Sequence, residues 1–102
     1  MKDPMKMMRQ VQQMQEKMNK VQVELETDTV EGTAGGGAVR VVATGTQKVV
    51  SVTIDPAAAS DLEMLQDLVT AAVNEAMEQS KQLAASKMQA VASGLGLPPG
   101  LI

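Results

Sequence analysis

Three consecutive glycines, Gly35 to Gly37, stand just before a basic residue, Arg40, and a run of valines in the stretch EGTAGGGAVRV, residues 31 to 41. Glycine-rich loops cradle phosphates when their backbone N–H groups and the positive end of a following helix converge on an anion. A Walker-type loop needs Gly-x-x-x-x-Gly-Lys-Ser/Thr between a strand and a helix, and a dinucleotide fingerprint needs the same strand-to-helix setting. Here the glycines lead into a strand-like run, and neither Lys-Ser nor Lys-Thr follows them. They predict a hairpin corner, where positive φ and close backbone approach call for glycine. Arg40 then reads as a solvated strand residue and not as a phosphate ligand.

Other routes to catalysis lack their residues. The chain has no Cys, hence no disulfide, thiolate nucleophile or thiolate metal site. It has no His, the commonest general base and metal ligand. Without Phe, Tyr or Trp it cannot stack exposed bases on aromatic rings. Asp61, Glu63 and Asp67 are the densest carboxylates, but paired acids do chemistry only in a cleft, and these read as the first-turn charges of a helix. The sequence therefore predicts no catalytic residue, no metal, no cofactor and no small-molecule substrate. With no apolar run near membrane-spanning length and a charged, amphipathic N-terminus, it predicts a soluble cytoplasmic protein that does not enter a membrane.

Charge is the remaining chemistry, and its placement is uneven. Net charge is −3, yet residues 1–20 hold Lys2, Lys6, Arg9, Lys17 and Lys20 against Asp3 and Glu16. Residues 21–31 hold Glu24, Glu26, Asp28 and Glu31, and residues 61–78 hold Asp61, Glu63, Asp67, Glu75 and Glu78, without a basic residue in either segment. Lys81 and Lys87 follow. Acids early and lysines late suit a helix dipole, and the second half of the chain obeys that rule. The first twenty-odd residues reverse it, each misplaced charge opposing the dipole by roughly 0.3–1 kcal/mol. A basic tip that binds an anion explains such a reversal.

These charges must be carried by particular elements. Asp3-Pro4 is a helix start, Asp as N-cap and Pro at the first helical position. Met7, Val11, Met14, Met18, Val21 and Leu25 then recur at alternating spacings of four and three, the seam of a heptad helix over about residues 4–26. The period changes to two in TDTVEGT (27–33), AVRVVAT (38–44) and QKVVSVTI (47–54). Val39, Val41 and Ala43 share one strand face, Val50, Val52 and Ile54 another, and Gly45-Thr46 supplies the turn between them. Ser60 with Glu63 forms a capping box opening a second long helix over about residues 60–92. The expected class is α+β: α-β-β-β-α, a three-stranded antiparallel meander between two long helices, residues 1–93, followed by a flexible tail, residues 94–102. At 102 residues and without aromatic side chains the core is small. A free strand edge and a bare heptad seam both invite a second copy.

Four stretches carry a resemblance: MMRQVQQMQEKMNKVQVEL (7–25), VEGTAGGGAVRVVATGTQKVVSVTIDP (30–56), EMLQDLVTAAVNEAM (63–77) and GLGLPPGL (94–101). In order and spacing they resemble the YbaB/EbfC family of bacterial nucleoid-associated proteins. The resemblance implies a homodimer with paired central sheets, its helices projecting as tweezer-like prongs. It also implies double-stranded DNA binding, a place in the nucleoid, roles in nucleoid organisation and regulation of gene expression, and no enzymatic activity. Carried onto this chain, the DNA-binding positions are Lys2, Lys6, Arg9, Lys17 and Lys20 on the first helix and Lys81 and Lys87 on the second. The alternative is a non-catalytic interaction module or chaperone-like adaptor that grips a partner with the Met-rich heptad face, since Met adapts to irregular surfaces.

Overall fold

A computed structural model describes residues 3–94. Along the chain lie helix α1 (Pro4–Thr27), strands β1 (Thr29–Ala34), β2 (Val39–Thr44) and β3 (Val49–Ile54), a 3-10 turn (Pro56–Ser60) and helix α2 (Leu62–Gly94). The expected α-β-β-β-α order and the antiparallel meander β1-β2-β3 are both present. The Asp3 carboxylate accepts the Met5 N–H at 3.0 Å, so the predicted cap starts α1. The tail expected over residues 94–102 lies outside the described residues except for Gly94, the last residue of α2.

Gly35, Gly36 and Gly37 have φ of 66°, 67° and 93°, a left-handed run that only glycine adopts without strain. They turn β1 into β2, the hairpin corner the sequence predicted. At the other end of β2, the Thr44 and Ser80 hydroxyls organise the turn into β3. Ser80, fully buried on α2, donates to the Thr44 carbonyl at 2.8 Å and accepts the Gln47 N–H at 3.1 Å.

The core is where α2 crosses β1 and β2. Ala72 and Ala76 lie on Val39, Val41 and Ala43, all five fully buried. Small residues set this distance: a Cβ on Gly32 would fall on the carbonyl oxygen of Ala72 and the amide nitrogen of Ala76. A second cluster joins the helices, with Val21 and Leu25 of α1 buried against Val91 of α2 and flanked by Met18, Leu83, Ala84 and Met88. Burying a Leu side chain such as Leu25 contributes about 2 kcal/mol.

Two local expectations need correcting. Ser60 does not cap α2; its hydroxyl donates to the Ala57 carbonyl at 3.0 Å and closes the 3-10 turn. Asp61 takes the capping role, accepting the Met64 N–H at 3.1 Å, because Pro56 starts a separate turn that ends only at Ser60. In β3, Val50 does not share a regular face with Val52 and Ile54. A bulge slips the register so that Val41 pairs with Val52 and Val42 with Ser51, but Ala43 with Val49. All of β3 is exposed, since α2 covers β1 and β2 only.

Candidate nucleic-acid interface

α1 and α2 run antiparallel where they meet, Leu25 near the sheet and Val21 and Met18 farther out along the pair. Lys17 and Gly94 line the same groove, so the N-terminal part of α1 continues past the described end of α2. From Asp3 to Gln13 every residue is exposed. The result is an arm on an elongated molecule of 70 × 22 × 15 Å.

Of the predicted contact residues, Lys2 lies outside the described residues. Lys6, Arg9, Lys17 and Lys20 are exposed on this arm and make no ion pair among the described residues. Lys17 and Lys20 meet Lys87 along a groove of about 410 Å³ between the helices. Lys81 is exposed but sits elsewhere, in a separate notch beside Gln22, Thr46 and Gln47 near the turn into β3.

Lys87 has a structural occupation that its position in the sequence does not reveal. Its ammonium donates to Glu24 at 3.4 Å and more closely to Asp28, clamping α2 to the base of α1. The hydrogen bond from Asp28 is the main cause holding its pKa above the ordinary lysine range, with Glu24 adding to it and desolvation opposing it. A phosphate at Lys87 competes with two carboxylates already in place. Arg40, the cation beside the glycines, is paired with Glu31 at 3.0 Å across the β1–β2 pair.

The acids gather at the opposite end. Asp61, Glu63, Asp67, Glu75 and Glu78 are exposed on the half of α2 that covers the sheet, with no ion pair among the described residues. Glu75 accepts the Thr33 N–H at 3.3 Å, placing a carboxylate at β1. A cationic arm and an anionic sheet end can hold a polyanion at one pole and repel it at the other.

The model of the YbaB/EbfC DNA-binding family matches residues 1–95. The chain belongs to the YbaB/EbfC DNA-binding family. It is 45% identical over 103 residues to a nucleoid-associated protein of Dictyoglomus turgidum, covering 99% of each chain. It is 53% identical over 95 residues to one of Desulforamulus reducens, covering 91% of this chain and 90% of that one. A crystal structure of an uncharacterized Helicobacter pylori protein shares the fold, with TM-score 0.69 and 20% identity over 80% of this chain and 88% of its own. Members of the YbaB/EbfC family are not enzymes, in line with the missing His and Cys. No helix among the described residues is long and apolar enough to cross a membrane.

Sequence reasoning missed Glu24 and Asp28 as partners of Lys87, because they lie 63 and 59 residues away in the chain. It also missed Ser80, whose only signal is a hydroxyl on the otherwise apolar or small sheet-facing positions of α2.

Proposed function

We propose that the chain binds double-stranded DNA as a homodimer, through the basic residues of its projecting arms, and acts within the nucleoid in organising DNA and regulating gene expression. The observation that carries this reading is the cluster of unpaired cations Lys6, Arg9, Lys17 and Lys20 on an arm clear of the fold. The names of its relatives, nucleoid-associated proteins, support it. Each ammonium or guanidinium that approaches a phosphate releases condensed counterions, so affinity falls steeply with salt. Lys6, Arg9, Lys17 and Lys20 are the main contacts, with Lys2 and Lys81 as lesser ones and Lys87 chiefly a clamp that holds the arm at its base.

Nothing on the arm is arranged as a reader of base edges beyond Arg9, the sole arginine of the two helices. Any sequence preference then comes chiefly from DNA shape. The homodimer is supported by the open apolar surface of β3, where Val50 is 60% exposed and Val49, Val52 and Ile54 are exposed beside it. The test is a salt titration of binding to a labelled mixed-sequence duplex. Replacing both Lys6→Glu and Arg9→Glu should weaken binding at low salt and flatten the slope of log affinity against log salt by about two. An unchanged slope would remove the arm from the interface.

A second reading keeps one observation of its own: Met7 and Val11, on the heptad seam, are each 56% exposed. A protein partner held by that seam should remain bound in high salt, where phosphate contacts fade.

A further inference from the structure

The apolar residues of α1 fall on two different faces. Met7, Val11, Met14, Met18, Val21 and Leu25 form the seam whose inner members pack on α2. The helical repeat of 3.6 residues turns Met5 and Met8 away from that seam. They stand three residues apart on one face, with Arg9 four residues after Met5 and Gln12 four after Met8. Each is 64% exposed, more than either exposed seam residue, Met7 or Val11. Continuing the helix pair outward would cover Met7 and Val11 and leave Met5 and Met8 in water.

Single exposed apolar side chains are ordinary. Two neighbours flanking an unpaired guanidinium, on an arm already assigned to a polyanion, make a surface of mixed character. Duplex DNA presents the same mixture: phosphates at the rim, apolar sugar edges and thymine methyls within the grooves. Methionine is among the apolar side chains that proteins bring into DNA grooves. Resting on the DNA reading above, we propose that Met5 and Met8 are DNA-contacting residues, packing their thioethers into a groove while Arg9 and Lys6 hold the flanking phosphates. Affinity then has two separable parts, one that salt abolishes and one that it does not.

The experiment is a salt titration with a mixed-sequence duplex of about 30 base pairs, extrapolated to 1 M salt, where counterion release no longer contributes. Met5→Gln with Met8→Gln keeps chain length, charge and helix propensity. The pair should lower the extrapolated affinity roughly ten-fold, as expected for two partly buried side chains, with the slope unchanged. Met5→Leu with Met8→Leu should restore it, and Lys6→Gln with Arg9→Gln should change the slope instead. Far-UV circular dichroism establishes that each variant keeps its helices.

An extrapolated affinity that does not respond to the Gln pair overturns the inference. So does a drop in the mass of the free protein by sedimentation, which would make the two methionines a contact between copies. Absence of binding by the unsubstituted protein would overturn the DNA reading itself, a result distinct from binding that ignores Met5 and Met8.

Discussion

Gly32 and Gly36 are both glycine for reasons that a substitution can tell apart. At Gly36 a Cβ would meet open space, but φ is 67°. Gly36→Ala should therefore cost about 1–2 kcal/mol of backbone strain. At Gly32 the added Cβ meets backbone of α2, which cannot rotate away. Gly32→Ala should force the helix off the sheet and cost about 1–3 kcal/mol or more. Urea unfolding of the two variants should rank Gly32→Ala as the more damaging, and equal costs would deny the close approach. Ser80→Ala removes both hydrogen bonds to the β2–β3 turn and leaves the Thr44 carbonyl and Gln47 N–H short of partners. About 1–3 kcal/mol should be lost in the same assay. The glycines of the first turn were legible in the sequence because their demand is local: three in a row, between two strand-like runs. Gly32 and Ser80 were not, since what they require is set by contacts more than thirty residues away.

Helix α1 behaves as two segments. Its inner part is held by Val21 and Leu25 against Val91 and by the Lys87 clamp; its outer part has no neighbour in the described chain. The heptad pattern predicted the whole seam correctly as one stripe, but periodicity cannot say where a partner helix stops. That depends on how far α2 reaches once its first half has been laid on the sheet. Lys87→Met should loosen the arm at its base while sparing the sheet, so amide exchange should quicken over residues 18–28 and α2's outer half but not over β2. Because the Lys87 pKa is raised in the folded protein, its contribution is complete below the unfolded lysine value and disappears as pH climbs through the folded one. The difference between the parent protein and Lys87→Met should therefore persist through neutral pH and vanish only in strongly alkaline solution. It should also shrink in salt, since the cluster is partly exposed.

Over the molecule as a whole, polarity and incompleteness go together. The cations of the arm and the acids of the sheet end lie apart on a 70 Å particle, so DNA should meet it in one preferred orientation. The apolar strand β3 marks where the proposed partner copy completes the core. Val52→Glu should yield a species of the single-chain mass, 10.7 kDa, in light scattering, and a variant that keeps twice that mass would move the dimer contact elsewhere. Composition announced this need, because a chain without aromatic residues has little to bury by itself, whereas which edge stays open depends on how α2 lies across the sheet. The Glu75 carboxylate on the Thr33 N–H has a consequence for that edge choice. A sheet that can add strands on both sides grows without limit, as fibrils do. With a fixed negative charge guarding β1 and only β3 open, growth terminates after one addition, and the end product of self-recognition is a closed pair.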